Sequence, residues 1–90
     1  MKESMKEMFA LTAVNSDGSE VYEVTIHKTF EKAQAEMERQ YKKEVKQIAY
    51  DNEWEENQVQ GEISEDFAWV LYNGEEDHYQ WQITKVNIPE

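Results

Sequence analysis

From Thr29 to about Asn52 the chain reads TFEKAQAEMERQYKKEVKQIAYDN, and Phe30, Ala33, Met37, Tyr41, Val45 and Ile48 recur at steps of three or four. That spacing lays one apolar stripe along a single helix. No Gly or Pro interrupts the run, and most of its residues are strong helix formers. Thr29 stands where a hydroxyl would cap the first turn, and Glu31 lies where negative charge suits the helix dipole. One helix cannot bury its own stripe, so the flanking sequence must supply the opposing surface.

The flanks alternate instead. Phe9, Leu11 and Ala13 share one face of the run Phe9 to Val14, and Val21 to His27 alternates more clearly. Tyr22, Val24 and Ile26 are expected inward there, with Glu23, Thr25 and His27 outward. Asn15 to Glu20 is dense in turn residues, and Asp17-Gly18 is a strong local turn signal, so the two runs read as a β-hairpin. Past the helix, Tyr50 and Trp54 fall off the stripe, four residues apart. Asn57 to Gly61 reads as an exit loop ending at Gly61, and Glu62 to Asp66 as an acidic approach to the next strand.

Phe67 to Tyr72 is the strongest strand in the chain, with Phe67, Trp69 and Leu71 on one face and Ala68, Val70 and Tyr72 on the other. Asn73 to Asp77 forms a turn, and His78 to Ile83 alternates again. A five-residue loop pairs Leu71 with Tyr79, Trp69 with Trp81 and Phe67 with Ile83. It is preferred over a two-residue Asn-Gly turn because it matches apolar faces throughout. Val86 and Ile88 then fall on the face opposite Ile83, so a bulge near Thr84–Lys85 is expected. Pro89 ends the strand.

The predicted order is β-β-α-β-β. It corresponds to an α+β two-layer sandwich, a four-stranded antiparallel sheet with one long helix packed on one face. Residues 1–8 are expected to form a flexible lead-in and residues 9–90 a single domain. A chain of 90 residues has room for one modest core and none for a deep walled pocket beside it. Most of the aromatic load in the final hairpin is expected under the helix. The remaining face, carrying Ala68, Val70 and Tyr72 with Gln80 and Gln82, is left open as an interaction surface or a homodimer seam.

Charge changes the picture. The net charge is −11, from 20 acids and 9 bases. By segment the balance is −2 over residues 1–28 (3 bases, 5 acids), +1 over 29–50 (5 bases, 4 acids) and −10 over 51–90 (1 base, 11 acids). The excess therefore lies in three clusters: Asp51/Glu53/Glu55/Glu56, Glu62/Glu65/Asp66 and Glu75/Glu76/Asp77. Such a field disfavours direct contact with nucleic acid or an anionic membrane, and it favours a basic protein partner. These acids, with the aromatic residues Trp54 and Tyr72, are the candidate partner-binding residues. Arg39, Lys42, Lys43 and Lys46 form a basic ridge on the helix, read as ordinary ion pairing with nearby Glu38 and Glu44.

Little else carries chemistry. The chain has no Cys, which removes disulfides and thiolate metal sites. No apolar run reaches the length of a membrane span, so the expected location is cytoplasmic. His27 and His78 fall in different hairpins, none of the four Ser residues lies in a Gly-flanked elbow, and the three glycines are isolated. Asp51-x-Glu53-x-Glu55 alternates oxygen ligands as calcium loops do, yet it lacks the glycine and the distal Glu of such a loop. No catalytic, cofactor or metal site is expected, and the chain reads as a non-enzyme.

In size, acidity, absence of Cys and compact α+β pattern, the chain resembles the small phage-encoded inhibitors of host defence, such as anti-CRISPR and anti-restriction proteins. That resemblance is one of type and covers no motif. It implies an acidic surface docked on a basic, nucleic-acid-binding protein, with carboxylates imitating a phosphate track. The alternative expectation is a structural or regulatory homodimer, joined through the open sheet face or an edge strand.

Overall fold

The computed structural model describes residues 5–15, 21–73 and 77–89. The turn residues Asp17 and Gly18 and the acids Glu75 and Glu76 lie outside the described residues. So do the side chains of Met5, Tyr22, Tyr72, Asn73 and Asp77.

The helix, α1, runs Phe30–Asn52. Thr29 caps it as expected, its hydroxyl accepting the Lys32 backbone N–H at 3.1 Å. Ala33, Met37 and Ile48 of the stripe are buried, and Phe30, Tyr41 and Val45 pack against the same core. Gln40 and Ala49 are buried beside them. The strands are β1 (Met5–Val14), β2 (Val21–His27), β3 (Gly61–Ile63), β4 (Phe67–Asn73) and β5 (Asp77–Pro89). They form one antiparallel sheet in the order β2-β1-β5-β4-β3, covered on one face by α1. The α+β class therefore holds, with five strands in place of four. The added strand, β3, comprises three residues, Gly61, Glu62 and Ile63, too few to show an alternation. It begins where the exit loop was expected to end. A Cβ on Gly61 would lie 2.8 Å from both the Trp69 carbonyl oxygen and the Tyr41 hydroxyl, so only glycine fits beneath the helix at that point.

β1 starts at Met5, so residues 5–8 belong to the sheet and not to a lead-in. They pair with residues 86–89 of β5. Among the described residues no third strand accompanies this stretch, since β2 pairs only as far as Phe9 and β4 only as far as Gln82. A two-stranded ribbon thus extends the molecule, whose extents are 60 × 25 × 16 Å. Its radius of gyration of 15.3 Å exceeds the roughly 12 Å of a compact domain of this length.

The facing of two strands differs from expectation. On β4, Ala68 and Val70 are the buried residues, while Phe67 is exposed and Trp69 and Leu71 are half-buried on the outer face. The register explains it. Asn73 pairs with Asp77, as the five-residue loop requires, but a bulge between Leu71 and Asn73 shifts the ladder by one. Val70 then faces Tyr79, Ala68 faces Trp81 and Phe67 faces Gln82. One extra residue inverts every side chain beyond it. The bulge expected near Thr84–Lys85 is absent from the β1–β5 ladder, which runs unbroken from Met5–Pro89 to Val14–Gln80. Val86 and Ile88 accordingly lie on the outer face.

β2 alternates as predicted but in the opposite phase. Thr25 stands opposite Leu11 and His27 opposite Phe9, so these polar residues share the helix-side face. Val24 and Ile26 turn outward and remain 51% and 50% exposed. The core explains the tolerance. It is built from Leu11, Ala13, Ala68, Val70, Trp81 and Ile83 beneath the helix, with none of the described side chains of β2 in it.

Candidate functional site

The acids nearest the end of α1 occupy a tightly built corner. Glu53 closes the helix in the left-handed region (φ 58°), its N–H directed at the carbonyls of Ala49 and Tyr50. The Trp54 N–H donates to the Ala49 carbonyl at 2.8 Å, completing a capping motif that usually employs glycine. A non-glycine residue there stores strain on the order of 1 kcal/mol. The chain then enters a short 3-10 turn, Glu56–Gln58, where the Gln58 side chain accepts the Glu55 backbone N–H at 2.7 Å. Asp51 accepts from the Gln47 side chain at 2.9 Å.

Asp51, Glu53, Glu55 and Glu56 are thus held exposed on an ordered turn. They sit at the negative end of the helix dipole, and the last turn holds no basic residue to offset them. Tyr50 is 82% exposed and Trp54 41%, so two aromatic side chains accompany four carboxylates. Tyr50 belongs to the last turn of α1, and Trp54 follows its cap.

The second cluster lies elsewhere. Glu65 adjoins the early part of α1, where its backbone carbonyl accepts the Gln34 side-chain N–H at 3.0 Å. From Gln34 to Asp51 the helix rises roughly 25 Å. Glu62 is on the outer sheet face opposite Trp69, and Glu65 and Asp66 stand exposed at the β3–β4 turn. The acids of residues 51–66 therefore form two separated groups. Of the third cluster, Glu75 and Glu76 and the side chain of Asp77 lie outside the described residues, as does the side chain of Tyr72.

Among the described residues the ion pairs are Arg39–Glu36, Lys42–Glu38 and Lys85–Glu7, none of them using an acid from residues 51–66. Two of the four ridge residues are thus engaged within the helix, Lys42 with the expected Glu38 and Arg39 with Glu36. The ridge forms part of a feature that the sequence pattern hid. Trp81, fully buried, donates its indole N–H to the Gln40 side-chain oxygen at 3.0 Å, and the Gln40 amide donates to Glu36 at 2.7 Å. Arg39 grips the same carboxylate through two nitrogens. Gln40 follows Met37 by three residues, and that spacing was the available signal for a buried polar position. Above this network lies an open polar groove of about 150 Å³, lined by Glu23, Arg39, Gln40, Lys43, Glu44 and Trp81. It is well below the size of a typical small-molecule site.

The Arg39 hydrogen bonds, reinforced by Gln40, hold the Glu36 carboxyl down at about 2, while burial pushes the Glu44 carboxyl up. The two act oppositely on stability. Glu36 contributes stability that is complete above its unfolded pKa near 4.5 and disappears as pH falls toward 2. The Glu44 contribution grows on acidification. Comparison with a Glu36→Gln variant isolates the first. The gap in melting temperature between the two proteins should be present at pH 7 and close between pH 4.5 and 2. A gap that persists at pH 2 would show that the Arg39–Glu36 pair does not carry it.

Among the described residues no group of three or more His, Cys, Asp or Glu is arranged to hold a metal ion, and no helix is long and apolar enough to cross a membrane. The fold defines a two-layer α+β domain whose most distinctive surface is the acidic, aromatic corner at the end of α1. No protein-family description matches the chain, and comparison with curated proteins and with solved structures returned no match.

Proposed function

We propose that this is a protein-binding module, acting by docking and not by catalysis, which sets the acidic end of α1 against a basic surface of a nucleic-acid-binding protein. One observation carries the reading. Four exposed carboxylates are concentrated at and just past the end of α1, without a basic residue in the last turn to offset them. Asp51 in the last turn and Glu53 at the cap lie where the dipole disfavours negative charge, a cost that a cationic partner would offset. Trp54 and Tyr50 provide the flat apolar contact around which a charged rim gains affinity. Carboxylates on a rigid corner present an array of anionic oxygens, which is also what a phosphate backbone presents to a basic groove.

The test is isolation of partners from source-cell lysate at low and moderate salt, using the protein and its Asp51→Asn/Glu53→Gln/Glu55→Gln/Glu56→Gln variant. The expected partner is a nucleic-acid-binding protein, released by added DNA or RNA and lost with the variant. The variant itself should melt at the same temperature or slightly higher, because Asp51 and Glu53 no longer place negative charge at the helix C-terminus. A partner retained by the variant, or insensitive to salt, overturns the proposal.

A further inference from the structure

The outer face of the sheet is the largest feature that this docking does not use. The ladders define its rows. Val24 on β2 pairs with Thr12 on β1, Thr12 with Gln82 on β5, and Gln82 with Phe67 on β4. One row further along, Val21 leads through Val14 and Gln80 to Trp69. Each row is aliphatic at the β2 end and aromatic at the β4 end, with a glutamine of β5 between them. Among the described residues no element covers these rows, and Val21 is 59% exposed.

We infer that this face is occupied by a second copy of the chain, stacked sheet on sheet about a two-fold axis parallel to the strands and passing between β1 and β5. That operation places β2 against β4 of the other copy, so the aliphatic flank of one sheet meets the aromatic flank of its partner. β1 meets β5 in the middle, Thr12 facing Gln82. The contact is isologous and closes on itself, and the strands lie in the aligned arrangement of β-sandwiches.

Charge singles out this occupant. Two copies of a chain of net charge −11 repel each other through most of their surfaces. Among the described residues the Lys, Arg, Asp and Glu side chains on the outer face are Lys6, on the ribbon, and Glu62, at the opposite corner on β3, and these cancel. This face is therefore where two copies meet with least repulsion. Four strands face each other in this arrangement, β3 lying beyond the overlap; about 4.8 Å apart and seven residues long, they give roughly 440 Å² of flat area, to which side-chain relief and the ribbon add. Standard interfaces bury about 800 Å² per partner.

Sedimentation or light scattering at micromolar concentration should give twice the 10.7 kDa protomer mass. Val24→Asp and Phe67→Asp, on strands at opposite sides of the face, should each weaken the dimer by about 100-fold or more while far-UV circular dichroism is unchanged. The axis has its own readout, since the chain holds no Cys. A mixture of Val24→Cys and Phe67→Cys proteins should be bridged by a short bis-maleimide far more efficiently than either protein alone. A monomer at 100-fold higher concentration overturns the inference. So does a dimer indifferent to both Asp substitutions, or cross-linking that is equal in all three samples.

Discussion

Val70→Asp should abolish folding, whereas Leu71→Asp, one residue along, should leave the fold intact. Val70 is fully buried beneath α1, paired with Tyr79 on one side and Gly61 on the other. An ionised carboxylate there loses its hydration with no cation to replace it, at an effective cost of several kcal/mol. That is a large part of the roughly 5–13 kcal/mol available to a domain of this length. Leu71 lies on the outer face, where its replacement removes contact area without burying charge. Far-UV circular dichroism at 25 °C and urea unfolding distinguish the two. The inverse result, a folded Val70→Asp and an unfolded Leu71→Asp, would mean that the β4 ladder lies in the register without the bulge.

Trp81→Ala should cost about 3–5 kcal/mol, measured by denaturant unfolding. Trp81 is the largest of the fully buried side chains, and its ring meets Tyr41 edge-on with centroids 6.0 Å apart. Truncation leaves a cavity under the middle of α1 and also leaves the Gln40 oxygen without its donor. Trp81→Phe separates the two effects. Most of the volume is restored, and the remaining loss should fall to about 1–3 kcal/mol for an unsatisfied buried amide. Equal losses for the two variants would show that the hydrogen bond, not the volume, holds this part of the core.

The comparison of sequence with structure turns on these same residues. Period alone identified α1 and its cap, because the stripe and the Thr29 hydroxyl act within a few residues of each other. The Phe9 to Val14 part of β1 and the inner residues Trp81 and Ile83 of β5 were legible for the same local reason, with Leu11, Ala13, Trp81 and Ile83 all buried as their alternation implied. Phase was not legible. Alternation states that Val24 and Thr25 face opposite ways, and only the pairing with β1 decides which of them meets the helix. On β4 the rule of matching large apolar residues chose Trp69 against Trp81. The fold instead sets Ala68 there, because a helix lying close over the sheet leaves room for small residues beside a tryptophan. The candidate site was half legible: the acids were evident from composition, but their division along the length of α1 depends on the three-residue strand β3, which no pattern announced.

The position of β5 also governs when the domain can form during synthesis. It lies in the middle of the sheet, and its neighbours β1 and β4 come from opposite ends of the chain. Until β5 has left the ribosome, the β1–β2 hairpin and the β3–β4 hairpin have no strand between them, and α1 has no Trp81 or Ile83 to rest on. Joining β1 to β5 closes a loop comprising most of the chain, the kind of long-range contact that slows folding. The sheet of this domain can consequently be completed only once β5 has been translated, and a nascent chain halted before Asp77 lacks the strand that joins its two halves.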